Sequence, residues 1–261
     1  MLTDTHAHLN DSAFDQDRDD IITHLKENRV DRVFVASYNK QSILDSIALA
    51  EKYSNVYAMI GIHPEETQDY TEDTIALIRK YATHPKVIAI GEIGLDYHFD
   101  GYDRVKQKEI LIDQLKIADE YNLPICIHNR DSIGDLIDIL QDNKHLLKSG
   151  GVLHCFSESV EIYKIIKSLG LKIGFGGTLT FKNSVVAPKV CEAADIHDIV
   201  IETDCPYLAP QDVRGKRNEP KYTTYVAEKI ALIKKMSYDQ VVDITTQNAL
   251  DVYRKVKPEN E

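Results

Sequence analysis

No stretch of this sequence stays apolar over the ~18–20 residues that a membrane span needs. The N-terminus lacks the basic start and apolar stretch of a secretory signal. Cysteine is scarce: Cys126, Cys155, Cys191 and Cys205 stand apart, with no CxxC pair and no disulfide-framework spacing. That usage suits reduced thiols and a cytoplasmic protein. Positive charge is in deficit as well. The 31 Lys and Arg against 42 Asp and Glu leave a net charge of -11, so the surface as a whole does not attract a polyanion. Any contact with nucleic acid has to be local or assisted by metal ions. Low-complexity segments, Pro/Gly/Ser-rich linkers and sequence repeats are also missing, so residues 1–261 read as one domain. A chain of this size buries roughly three quarters of the surface its unfolded form exposes, so its core needs no disulfides.

What the sequence does contain is an alternation. Short apolar runs recur as an opening strand up to His8, then Arg32–Ser37, Val56–Ile62, Val87–Ile90, Pro124–His128, Gly151–Cys155, Leu171–Gly176 and Ile199–Thr203. Helical spacing of apolar residues separates them, over Asp20–Asn28, Ser42–Tyr53, Thr71–Tyr81, Asp103–Tyr121, Ser132–Gln141, Ser159–Leu169 and Val185–Ala194. Thr223–Lys235 and Tyr238–Tyr253 close the chain. Strands alternating with helices imply βαβ units and a parallel sheet. Eight such units predict a (β/α)8 TIM-type barrel. A doubly wound sheet is the alternative, but it calls for a Gly-rich phosphate loop after the first strand. That position holds His-Ala-His-Leu-Asn.

In a barrel, active sites form at the C-terminal strand ends. Those ends carry His6 and His8, then His63, Glu92, His128, His154 and Asp204. One core strand ending in a histidine or an acid is commonly a hydrogen-bonded core residue. Six of eight strands ending so converge on one mouth. Side chains two apart on a strand share a face, so His6-x-His8 presents two imidazoles to one ion. The set His6, His8, Glu92, His128, His154 and Asp204 exceeds what one tetrahedral zinc takes. It suits two divalent ions with a bridging carboxylate, and nitrogen and oxygen ligands without thiolate fit Zn, Mn, Ni or Co and tolerate Mg.

These residues sit in segments that resemble the TatD-type metal-dependent deoxyribonucleases, within the amidohydrolase-like barrels. The segments are DTHAHL (Asp4–Leu9), GIHP (Gly61–Pro64), IGEIGLDYH (Ile90–His98), PICIHNRDS (Pro124–Ser132) and GGVLHCFS (Gly150–Ser157). IGFGGTLTFKNS (Ile173–Ser184), ETDCPYLAP (Glu202–Pro210) and RGKRNEP (Arg214–Pro220) follow. The resemblance spans nearly the whole chain. It implies the same six ligands, a bridging role for Glu92, and DNA as substrate. Two departures stand out: His98-Phe99 where relatives often carry Tyr and Trp, in a chain with no Trp, and Asp251 in NALDVY where a basic residue is common. The first bears on stacking of a substrate base, and the second lies far from the metals.

The expected mechanism gives one ion to His6 and His8 and the other to His128 and His154. Glu92 bridges, and Asp204 sits beside the first ion, where it orients the attacking water and takes its proton. Glu202, two residues earlier, supports a ligand from behind. His63 is one ligand too many and is assigned to a substrate phosphate or to such support, while His98 lies on a loop at the mouth as a further substrate contact. Arg130, Lys182, Arg214, Lys216 and Arg217 are the candidate phosphate contacts, with an internal salt bridge to Glu219 as the competing use of the last cluster. Gly174–Gly177 reads as close backbone approach at the rim rather than a nucleotide loop. Cys155 and Cys205 adjoin ligands but are not needed as nucleophiles. The predicted activity is a metal-dependent exonuclease acting from 3′ ends on DNA single strands or strand ends. RNA or tRNA are further polymers, with no membrane and no obligate protein partner. The alternative is carbonyl-bond hydrolysis on the same site, on D-aminoacyl-tRNA or a small amide or lactone. A binding module with structural metal is the third reading, which the spare acid at Asp204 disfavours.

Overall fold

A computed structural model describes residues 1–256. Eight parallel strands follow one another in the order of the chain: β1 (Leu2–Ala7), β2 (Val30–Ala36), β3 (Val56–Ile60), β4 (Val87–Asp96), β5 (Ile125–Arg130), β6 (Gly151–Leu153), β7 (Leu171–Phe175) and β8 (Ile199–Ile201). Helices α1 (Arg18–Thr23), α2 (Lys40–Lys52), α3 (Glu72–Ala82), α4 (Arg104–Glu120), α5 (Ile133–Asp142), α6 (Val160–Ser168) and α7 (Val186–Ala193) separate them. α8 (Thr223–Lys234) and α9 (Tyr238–Val252) follow the last strand. The sheet curls back on itself through the chain just past β8. His8 N–H donates to Cys205 O (2.7 Å) and Asp204 N–H to His6 O (2.9 Å). The buried Asp4 carboxylate accepts from Thr203 N–H (2.9 Å) and Thr203 Oγ1 (2.6 Å). The result is a nearly closed (β/α)8 barrel, as the alternation predicts.

Local chemistry sets the element ends. Asn39 and Ser42 cap each other's backbone N–H at the start of α2, and Ser237 and Gln240 do so at α9. The expected first helix is shorter than its apolar spacing suggests. It stops at Thr23, passes through a 3-10 turn at Lys26–Asn28, and enters β2 through Arg29 at φ 63°. The largest difference is β4, expected to end at Ile90 but continuing to Asp96. Its extension pairs with β5 (Ile93↔Ile127, Gly94↔His128, Asp96↔Arg130) after a register shift. Glycine in this extension is what the pairing needs: a Cβ on Gly94 would lie 2.0 Å from His128 O.

Alternation along the strands makes two apolar layers. Val33, Val35, Ile60, Ile127, Ile173 and Ile201 pack outward against the helices. Phe34, Tyr57, Met59, Cys126, Val152 and Val200 form the barrel interior with Val252, Tyr253 and Val256 from the end of the chain. Tyr253 meets Phe34 edge to face at 5.0 Å and is fully buried. α9 thus plugs one end of the barrel, while the other end is left to polar side chains.

Candidate metal centre

On three strands, continuing the inward face by two residues crosses from apolar to polar. Cys126 leads to His128, Val152 to His154 and Val200 to Glu202. These side chains meet His6, His8, Glu92 and Asp204 at one mouth. Glu92, 3% exposed, divides its carboxylate between two groups. Oε2 lies 3.3 Å from His6 Nε2 and 3.5 Å from His8 Nε2. Oε1 lies 2.9 Å from His128 Nδ1 and 2.8 Å from His154 Nε2. Asp204 Oδ1 completes the first group at 3.3 Å from His8 Nε2 and 3.7 Å from His6 Nε2. Asp204 holds this position at φ 58°, a left-handed conformation uncommon for a non-glycine residue. Three overlapping sets each bring three ligand atoms within 4.8 Å: His6–His8–Asp204, His6–Glu92–His154 and His63–Glu92–His128.

The far nitrogens of the rings decide what the near ones offer. His8 Nδ1 faces Ala36 O (3.2 Å), which can only accept, so in the neutral ring Nδ1 carries the hydrogen and Nε2 the lone pair. His128 Nε2 faces Asp96 Oδ2 (2.9 Å), leaving Nδ1 for the site. His6 Nδ1 faces Cys126 Sγ at 3.2 Å, and its Nε2 lies 3.2 Å from that of His8. With the rings neutral, nitrogen and carboxylate lone pairs point at one another across the mouth. A cation between them relieves that repulsion, and the donor set of imidazoles and carboxylates fits divalent ions on both sides of Glu92. His63 differs. Its Nδ1 accepts from Glu65 N–H (3.2 Å), so the neutral ring turns an N–H toward Glu92 Oε1 at 3.6 Å. In that tautomer it meets the cluster as a donor.

Charge and burial pull these groups apart. Burial pushes the Glu92 carboxyl up, yet the histidines His154, His6 and His63 around it bring it well below the ordinary range. Burial works against protonated His154, but Glu92 and Glu202 raise it well above a free imidazole. His8 and His128 are also raised against burial, chiefly by Asp204 and by Asp96 respectively. His6 and His63 are lowered, by burial first and then by His154 and His128. Glu202 stands behind His154, its Oε1 3.7 Å from Nδ1, beyond a direct hydrogen bond. It accepts from Cys155 N–H, and Gly174 makes room for it, since a Cβ there would lie 2.2 Å from Oε2.

The mouth opens into a cavity of about 670 Å³. Of the predicted phosphate contacts, Arg130 lines it, its guanidinium 5.2 Å from the Phe99 ring. The others do not. Arg217 is bound to Asp17 (2.6 and 2.9 Å), Ala13 O and Glu219, so the competing salt bridge holds it. Arg214 lies on the Phe181 ring at 4.1 Å, and Lys182 and Lys216 are exposed away from the lining residues. His98 pairs with Asp131 (2.8 Å). Sequence reasoning missed Asp96, which required β4 to be six residues longer. It also missed most of the rim: aromatic Tyr38 and Tyr207, beside the Phe99 already singled out for base stacking, and acidic Asp11, Glu65 and Glu66. Their only signal was position just past a strand end.

Residues 3–254 match the family model described as TatD related DNase. The chain is 42% identical to the uncharacterized metal-dependent hydrolase YabD of Bacillus subtilis, over 97% of this chain and 99% of that protein. It is 32% identical to the uncharacterized metal-dependent hydrolase YcfH of Escherichia coli K12, over 95% and 94%. The crystal structure of YjjV, a TatD homolog from Escherichia coli K12, superposes with a TM-score of 0.92 at 27% identity, covering 97% of this chain and 98% of that one. The chain therefore belongs to the TatD-related DNase family of metal-dependent hydrolases.

Proposed function

We propose that this protein hydrolyses phosphodiester bonds of DNA at strand ends, from the 3′ side, with two divalent ions. The observation that carries the reading is the division of Glu92: one oxygen faces His6 and His8, the other His128 and His154. His6, His8 and Asp204 would hold one ion, His128 and His154 the other, and Glu92 both. When bound, such ions supply Lewis acidity to the attacking and leaving oxygens of a displacement. Asp204, at the edge of its group and lining the cavity, orients the attacking water and takes its proton. His63 turns its N–H toward the same space, where it donates to a phosphate oxygen. Arg130 holds a neighbouring phosphate, and Phe99, Tyr38 and Tyr207 offer faces on which bases stack.

Among the described residues, Arg130 is the only lysine or arginine lining the cavity, against Asp11, Glu65 and Glu66. Duplex binding by many phosphate contacts is poorly served by that rim. A strand end, held by the ions and one arginine, is better served, and phosphate contacts of this kind read no sequence. RNA and tRNA termini would fit the same way. We place this activity in the cytoplasm, without an obligate protein partner.

The test is hydrolysis of single-stranded DNA labelled at either end by chelator-stripped protein, with Mg, Mn, Zn, Ni or Co restored singly. Metal-dependent shortening from the 3′ end supports the reading. No shortening with any metal rejects it. The three rim acids favour one second reading, hydrolysis of a carbonyl ester that carries an amine, such as D-aminoacyl-tRNA. Release of the amino acid, with DNA left intact, would establish that reading instead.

A further inference from the structure

Two glutamines are buried on the face of α4 that packs against the barrel, where Ile110, Leu111 and Leu115 are their neighbours in the core. They are Gln107 and Gln114, 1% and 0% exposed. Seven residues apart, they share one helix face. Each pairs its amide, through one accepted and one donated bond, with a single residue's backbone. Asp96 N–H donates to Gln107 Oε1 and Gln107 Nε2 donates to Asp96 O, both at 3.0 Å. Ile62 N–H donates to Gln114 Oε1 (2.8 Å) and Gln114 Nε2 to Ile62 O (3.0 Å). The reason lies in the strands. Pairing of β3 with β4 ends at Ile60↔Ile90, whereas β4 runs on to Asp96 beside β5 alone. Gln107 serves as the missing strand on that edge.

The consequence reaches a ring at the centre. The Asp96 side chain has no freedom left: Oδ1 accepts from His98 N–H (2.9 Å) and Oδ2 from His128 Nε2 (2.9 Å). His128 is thereby committed to offering Nδ1 to Glu92, unlike His6, His8 and His154, which offer Nε2. We propose that Gln107 and Asp96 form a positioning relay that fixes His128 in its Nδ1-ligating form and so sets the affinity of the ion on that side of Glu92. The His6–His8–Asp204 side has no contact with the relay. This rests on the reading of the cluster as a two-ion site.

The experiment is calorimetric titration of chelator-stripped protein with Mn²⁺ alone, paired with ¹⁵N NMR of the histidine rings. The variants are Asp96→Asn, Gln107→Met and Gln114→Met. The relay predicts two binding events in the wild type. Asp96→Asn weakens one of them by ~10–100-fold, Gln107→Met weakens the same one, and both leave the other unchanged. The His128 nitrogen signals lose their Nε2–H form in step. Gln114→Met, which removes the same buried amide two turns away, lowers the melting temperature without moving either event. Two unchanged events in Asp96→Asn and Gln107→Met overturn the relay and leave the two-ion reading standing. Equal weakening by all three variants makes the glutamines merely structural and also overturns it. A wild-type chain that binds no Mn²⁺ overturns both the relay and the reading beneath it.

Discussion

The two ends of the barrel interior are built from the same strands and differ by two residues. At the closed end, Phe34, Met59, Cys126, Val152 and Val200 meet Tyr253 and Val256 in an apolar plug. At the open end, the next inward positions hold Gly61, His128, His154 and Glu202, joined by His6, His8, Glu92 and Asp204. The closed end gains from burying apolar surface. The open end gathers groups whose lone pairs and charges oppose one another, which a folded chain tolerates only where neighbours or a ligand compensate. Stability and chemistry are thus stacked along one axis, with Cys126 touching His6 at the boundary.

Changes at either end should separate the two properties. Asp204→Asn should lower kcat by about 10²–10⁴-fold, the usual contribution of a positioned base, while thermal unfolding by circular dichroism shows no loss of stability. Tyr253→Ala should do the reverse. Emptying the plug should cost ~3–5 kcal/mol in denaturant unfolding, with kcat per folded molecule kept. Large loss of stability in the first variant, or of kcat in the second, would break the division. At the rim, Arg130→Ala should raise KM about 10-fold or more, as loss of a hydrogen bond to a charged group does. Arg217→Ala should leave KM alone and lower the melting temperature, because its partners are Asp17 and Glu219.

The smallest expected effect is on pH dependence. In chelated protein, His8, His128 and His154 are raised above the free imidazole. Their stabilisation is fully present below the unfolded value of about 6.5 and fades as pH rises through the higher folded values. His6 and His63 are lowered, so their contribution changes only below that value. The melting temperature of the metal-free protein should therefore fall as pH rises above about 6.5. In protein loaded with metal the fall should vanish, since ions compete with those protons. Parallel melts with and without chelator check the sign.

The open end was largely legible in the sequence because its residues obey one rule: a histidine or an acid where a short apolar run stops. His6, His8, Glu92, His128, His154 and Asp204 all follow it. What was not legible depends on partners distant in sequence. Asp96 is hidden because the apolar run stops at Ile90, while the strand itself continues through glycines, with the close approach of His128 O demanding one at Gly94. The assignment of Arg214, Lys216 and Arg217 to phosphate rested on charge and loop order. Neither reveals that Asp17, some two hundred residues earlier, holds Arg217. Asp251, a departure from its relatives' pattern, is exposed on α9, and its carboxylate accepts from Gln247 of the same helix.

Glu92 is proposed to join two ions within one site. Electron paramagnetic resonance of the Mn²⁺-loaded protein tests it most directly. The expected result is the spectrum of an exchange-coupled pair in the wild type and its replacement by isolated-ion signals in Glu92→Gln. Isolated-ion signals from the wild type at full loading would contradict it.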